Sequence, residues 1–234
     1  MVAIRASRFA KFLEAFSQFS EEVLLEPEDE WLTVRAIDGT HTVAAFGKLK
    51  LEESLYDKFG LNLRHALRFL KRIQGEVQLS IEGTKLVIEG HGFSLKIDTI
   101  DPASFKLYSE PNFKFDLDAE VEIALLADVL KKLKRVDVIE FIADRNNGLR
   151  LEAVTETSKF SQWLGTPTLY GQAQEVRVRF GTHFLSQVIR ALEILSRPPN
   201  ATFTTIELKT NYPGRFILTD EDLRFRAYIA PRVD

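Results

Sequence analysis

Val2–Ser20, VAIRASRFAKFLEAFSQFS, reads as a strand running straight into an amphipathic helix, and the same order returns over residues 113–136, FKFDLDAEVEIALLADVLKKLKRV. In the first copy Phe9, Phe12, Leu13, Phe16 and Phe19 recur at helical spacing along one apolar face, with Ser7 placed to cap a helix over 8–20. In the second, Leu126, Val129, Leu130 and Leu133 form the stripe of a helix over 124–136. β-rich sequence and a further helix follow each copy. One spans 61–73 with Leu63, Leu67 and Leu70 inward; the other spans 182–197 with Phe184, Leu185, Val188, Ile189 and Leu192 inward. Matching helices lie roughly 116 to 121 residues apart, far beyond the ~20–50-residue periods of solenoids. The chain therefore reads as two similar domains.

Between the helices the period falls to two. Val77–Ile81, Phe93–Ile97, Val176–Phe180 and Leu223–Arg226 alternate apolar with polar residues, and Leu86–Ile88 reads as a short strand among them. Turn signals stand between them at Glu82-Gly83, Gly90-His91-Gly92, Asn146-Asn147-Gly148 and Pro213-Gly214. Strands bracketing two helices without βαβ alternation predict antiparallel α+β domains, in outline β-α-β3-α-β3 twice. The stretch 98–112, DTIDPASFKLYSEPN, carries two prolines and no period. It divides the chain into an N-terminal domain (1–100), a linker (101–112) and a C-terminal domain (113–234).

The composition is that of a soluble globular protein: 234 residues, 45% hydrophobic and 28% charged. No run approaches the roughly 18 apolar residues of a membrane span. The N-terminus enters a strand without a leader pattern, which gives the expectation of an intracellular chain. The absence of cysteine excludes disulfides, thiolate metal sites and cysteine nucleophiles. His41, His65, His91 and His183 are isolated, and no metal-binding, P-loop or dinucleotide motif occurs. The reading is a non-enzymatic protein without metal or cofactor. Asp144-Arg-Asn-Asn-Gly148 is a hairpin turn, because its glycine and following glutamate are misplaced for a calcium loop.

Charge supplies the positive signal. The four helical segments hold twelve Lys/Arg against Glu14, Asp128 and Glu193, a net of +9 in a chain of −3, which leaves −12 on everything else. Solvated helix faces usually mix signs, because opposite charges four apart stabilise one another. Part of the Lys131–Arg135 cluster answers to the helix dipole, but recurrence on all four helices points to a polyanionic partner. No aromatic residues interleave with these cations and no base-reading helix stands out. The pattern fits sequence-independent phosphate contact.

Three motifs then resemble one family. Val34-Arg-Ala-Ile-Asp-Gly-Thr-His-Thr-Val43 is similar to the A-M-D-x-x-H-V strand-turn of the PCNA sliding clamps. Gly60-Leu-Asn-Leu63 followed by Leu67-Arg-Phe-Leu-Lys-Arg72 resembles their G-V-N-L…L-x-K-I-L-K-R helix. Tyr228-Ile-Ala-Pro-Arg232 resembles the clamp terminus Y-L-A-P-K/R, in a form most like archaeal, crenarchaeal-type subunits. The likeness runs the length of the chain.

The resemblance implies the processivity-clamp fold and a ring of three subunits whose helices surround duplex DNA. It implies a processivity factor for DNA polymerase and a docking platform in DNA replication and DNA repair. The alternative is a regulatory or checkpoint-type ring or scaffold without processivity. Phosphate contacts are expected from Arg8, Lys11, Arg64, Arg68, Lys71, Arg72, Lys131, Lys132, Lys134, Arg135 and Arg190. A partner-peptide pocket is implied at Ile37, His41, Thr42, Leu107, Tyr108, Pro111, Pro213, Tyr228, Ala230 and Pro231. Subunit contacts are expected at two edge strands, 93–100 with Phe93, Leu95 and Ile97, and 158–164 with Phe160 and Trp163. Partners implied are DNA polymerase, clamp loader, flap endonuclease and DNA ligase, in a homotrimer or a heterotrimer with paralogues, with no membrane. The implied location is the cytoplasm, nucleoid-associated, or the nucleus in a eukaryote.

Overall fold

The helical and two-residue periods resolve into four α-helices and seventeen strands in the computed structural model, which describes residues 2–53, 55–196 and 202–232. The first half runs β1 (Val2–Arg5), α1 (Ala6–Phe16), β2 (Glu22–Glu28), β3 (Trp31–Ile37), β4 (Val43–Lys50), β5 (Phe59–Asn62), α2 (Leu63–Leu70), β6 (Glu76–Glu82), β7 (Lys85–Gly90) and β8 (Phe93–Asp98). The second runs β9 (Leu117–Glu122), α3 (Ile123–Lys132), β10 (Val138–Asp144), β11 (Gly148–Val154), β12 (Lys159–Gly165), β13 (Thr168–Leu169), β14 (Glu175–Gly181), α4 (Thr182–Leu195), β15 (Phe203–Leu208), β16 (Gly214–Asp220) and β17 (Leu223–Ile229).

Among the described residues, the first half carries four strands between its helices and the second five, against three in the β-α-β3-α-β3 outline; β14 contains the alternating run Val176–Phe180, whereas β5 carries no such signal. Phe59–Asn62 is four residues long, too short for alternation to show, and it exists because Val23 and Leu24 of β2 offer it a ladder. Two four-stranded antiparallel sheets, β1-β6-β7-β8 and β12-β11-β10-β14, flank a nine-stranded sheet ordered β13-β9-β15-β16-β17-β4-β3-β2-β5. The halves join where β17 pairs with β4, from Ile229 opposite Val43 to Leu223 opposite Leu49.

The helices lie in one layer: α1 packs against α2 and α4, and α4 against α3. Phe16 meets Phe225 of β17 edge-on at 5.8 Å. At Gly47 of β4, an added Cβ would come within 2.6 Å of the Phe16 ring, so the helix lies directly on the sheet backbone. Because side chains alternate along a strand, Arg224, Arg226 and Tyr228 face away from this core.

Helix ends differ from the sequence reading. The first helix begins at Ala6 with Arg5 at its N-cap and no side-chain cap, so Ser7 does not cap it; the Ala6 amide instead donates to Gly75 O at 2.9 Å. The second helix ends at Leu70 with Lys71 as its C-cap, and the third ends at Lys132. Lys134 and Arg135 therefore lie in the following turn, and Arg197 is outside the described residues. The strand expected from Phe113 begins at Leu117, because its partner β15 ends at Leu208, opposite Leu117.

Candidate nucleic-acid and partner interfaces

The buried stripes of the four helices turn their cations outward. Lys11, Arg64, Arg68, Lys71, Arg72, Lys131, Lys132, Lys134, Arg135 and Arg190 are all exposed. All three helical carboxylates are engaged by lysines: Glu14 with Lys71 at 2.8 Å, Asp128 with Lys132 at 2.6 Å, and Glu193 with Lys131 at 3.7 Å. Two of these bridges link neighbouring helices, so the acidic minority steadies the layer. Among the described residues, Lys11, Arg64, Arg68, Arg72, Lys134, Arg135 and Arg190 have no ion pair. Arg8 differs from the rest: its side chain is 10% exposed and its guanidinium lies 2.5 Å from Asp222 and 3.6 Å from Asp220.

The turn between β3 and β4 is built by Asp38. Its Oδ1 accepts from the amides of Thr42 (2.7 Å) and Val43 (2.5 Å), and its Oδ2 from the Thr40 amide (2.9 Å) and hydroxyl. These bonds hold His41 at φ 59°, in the left-handed region. Burial pushes the Asp38 carboxyl up, but the hydrogen bonds from Thr40, Val43 and Thr42 outweigh it and hold it below the usual range. The turn presents Ile37, His41 and Thr42 beside the C-terminal segment, where the Ala230 amide donates to Thr42 O at 2.8 Å.

The linker lies across the outer face of the sheet. It is seated at its start by Phe105 against Gly60, where an added Cβ would be 2.4 Å from the ring. Further on, Arg35 donates to Tyr108 O at 3.4 Å. Arg226 contacts both Glu110 carboxylate oxygens at 3.1 Å, and the Tyr228 hydroxyl bonds Glu110 at 2.9 Å and Pro111 O at 3.4 Å. Leu107 is left 58% exposed on this strap, whereas Tyr228 is 3% exposed. Of the pocket residues read from sequence, Ile37, Thr42, Tyr108, Pro111, Pro213, Ala230 and Pro231 are half-buried and His41 is exposed. Sequence reasoning missed the residues that organise this region: Asp38, Arg35, Glu110 and Arg226, together with Phe113, which stands edge-on to Tyr212 at 5.4 Å and to Tyr228 at 6.0 Å. The Asp at the head of a G-T-H turn was a usable signal for the first; ion pairs across sheet and linker leave none in a linear pattern.

The two interface segments contain sheet-edge strands, β8 and β12. Phe93 (37%) and Trp163 (58%) are exposed, while Ile97 is 2% exposed and faces its own core. Leu95 and Phe160 pack partly against that core.

No family model matches the chain. It is 24% identical to the DNA polymerase sliding clamp of Thermococcus fumicolans over 98% of this chain and 96% of the relative. Identity and coverage are the same for the DNA polymerase sliding clamp of Pyrococcus abyssi. Among solved structures, A. fulgidus PCNA with the C-terminal region of FEN-1 bound matches with a TM-score of 0.85 at 17% identity, covering 100% of this chain and 99% of that one. PCNA from Thermococcus kodakaraensis matches at 0.83 and 19% identity, covering 99% of each chain. Proliferating Cellular Nuclear Antigen from Entamoeba histolytica matches at 0.84 and 14%, again over 99% of each. The chain has the sliding-clamp fold, and it is similar along its full length to proteins named as DNA polymerase sliding clamps.

Proposed function

We propose that this chain is a subunit of a DNA sliding clamp: a ring that encircles duplex DNA, confers processivity on DNA polymerase and docks replication and repair enzymes. The observation that carries the reading is the segregation of charge, with four helices in one layer turning their cations to one side. A closed ring holds DNA by topology, so weak, sequence-independent phosphate contacts suffice and still permit sliding. Lys11, Arg68, Lys71, Lys131 and Arg190 are the leading contacts, with Arg64, Arg72, Lys132, Lys134 and Arg135 adding to the field. Arg8 has a supporting role, through its carboxylate partners.

The protein acts without catalysis. Its halves, 1–100 and 113–234, are joined by the linker 101–112. The groove between Ile37–Thr42, the linker and Ala230–Pro231 receives the hydrophobic anchors of client peptides, since such anchors carry most of a small interface's energy. The relative solved with a FEN-1 segment supports flap endonuclease as one client class; polymerase, clamp loader and DNA ligase are the others. The Ile229-Ala-Pro-Arg232 ending motivates a crenarchaeal-type subunit, whether in a homotrimer or with paralogues, working at the nucleoid, or in the nucleus of a eukaryote.

The test is polymerase extension on primed circular DNA with a clamp loader, using this chain alone and with its paralogues. Longer products are expected. No gain in any subunit mixture defeats the processivity claim and leaves a regulatory ring or scaffold.

A further inference from the structure

A cavity of about 460 Å³ opens on the outer face of the nine-stranded sheet, between its strands and linker residues Ser109 and Glu110. Four cations line it: Arg35 of β3, Lys48 of β4, and Arg224 and Arg226 of β17. Register gathers them, for Arg35 and Arg226 both stand opposite Phe46, and Arg224 stands opposite Lys48. The outer sheet therefore has a basic centre, although the chain outside the helices is acidic in sum.

Three carboxylates serve these four cations. Glu28 lies 2.5 Å from Lys48 and 3.5 Å from Arg35, Glu26 lies 3.6 Å from Arg35, and Glu110 lies 3.1 Å from Arg226. Among the described residues Arg224 has no carboxylate partner; its guanidinium rests on the Trp31 ring, 4.6 Å from the centroid. One further carboxylate neutralises the cluster.

Position selects the occupant. Ile37 and Tyr228 lie two residues along the same strands, on the same faces, as Arg35 and Arg226. The Phe46 ring beneath the cavity stands edge-on to Tyr228 at 5.8 Å. The cavity thus continues the groove, within about 7 Å along the strand, two residues at ~3.3 Å each. The chain's own C-terminal segment is engaged elsewhere, with the Arg232 amide donating to Arg179 O of β14 at 2.8 Å.

We propose that this cavity is a carboxylate subsite, in which Arg224, with Lys48 and Arg226, takes an Asp or Glu side chain flanking the anchors of the peptide docked in the groove. The proposal rests on the client-groove reading above, and it adds a preference for acidic flanks.

The test uses the Trp163→Phe variant, in which Trp31 is the sole tryptophan, at constant ionic strength. Peptides with hydrophobic anchors are compared with a Glu or a Gln two to four residues before or after them. The Glu form is expected to bind about three- to fivefold tighter than the Gln form, to change Trp31 fluorescence, and to lose both effects in Arg224→Gln. Equal affinity of Glu and Gln peptides, with Trp31 unchanged, overturns the subsite while leaving the groove intact. Failure of every anchored peptide defeats the groove reading instead. In that case a capped Glu dipeptide titrated against its Gln counterpart decides the subsite alone, and a Trp31 signal indifferent to Glu overturns it.

Discussion

The Tyr228 hydroxyl donates to the Glu110 carboxylate at 2.9 Å, tying the last strand to a linker 118 residues earlier in the chain. Arg226 holds the same carboxylate from the adjoining outward position of β17. Burial, and the bond to Glu110, push the Tyr228 hydroxyl above its usual pKa, so it remains a neutral donor at ordinary pH. Tyr228→Phe keeps the ring contacts with Phe46 and Phe113 and removes the clasp, together with the 3.4 Å bond that the hydroxyl accepts from Arg215. Its expected cost is about 1 kcal/mol in urea unfolding, with faster amide exchange across 106–112. Unchanged exchange would mean that Arg35 and Arg226 hold the linker by themselves.

Asp38 makes the β3–β4 turn pH-sensitive. Its carboxyl sits below the unfolded value of about 4 because the turn's hydrogen bonds outweigh the burial that raises it. A depressed folded value contributes stability that is present above about pH 4 and lost as pH falls through the folded value. Asp38→Asn should therefore be less stable than the parent at pH 7, and the gap should narrow as pH falls below about 4. Thermal unfolding across that range is the measurement; a gap constant with pH would locate the loss in packing rather than charge.

Much of the fold was legible in the sequence because it is written in period. The Phe9–Phe19 stripe and the alternation of Val176–Phe180 each depend on burial of one face, which spacing reports directly. What stayed hidden depends on contacts distant in sequence. The pairing of β17 with β4 joins residues on opposite sides of the linker, and no local pattern encodes it. Arg8 fell among the outward cations by residue type and helical position, yet Asp220 and Asp222, more than two hundred residues on, draw it in. Phe113 and Phe115 alternate like a strand, but β15 offers them no ladder. They pack as aromatics beside Tyr212 and Arg215 instead.

The same contrast sorts the cations by experiment. Lys11, Arg68 and Arg190 are exposed, and among the described residues none has an ion pair. Replacing any one with Gln should weaken binding to linear duplex uniformly across sequences and lower the log–log salt slope by about 1. Arg8→Gln should leave that slope unchanged and cost about 1–3 kcal/mol of stability, because the part-buried ion pairs of the Arg8 guanidinium with Asp220 and Asp222 are lost. A slope that falls for Arg8 but not for Arg68 would reverse the assignment. Fluorescence anisotropy over a salt series reads both.

Assembly turns on the two open edges. Among the described residues β8 and β12 are each paired with a strand on one side only, and such edges are templates for another strand. Phe93 and Trp163, 37% and 58% exposed, stand on opposite edges. A contact of β8 with β12 of the next subunit is head-to-tail, and it closes a ring without leaving a free edge. Light scattering should then give a mass near three times 26.7 kDa, or a ring that forms only with paralogues. Phe93→Asp and Trp163→Asp should each reduce the self-assembling form to monomer. Mixing the two variants is the sharper test: the first retains a working β12 and the second a working β8, so they should pair once and stop at a heterodimer. Edges that paired with their own kind would instead give homodimers of each variant, and a parent chain monomeric under every condition, paralogues included, would defeat the ring.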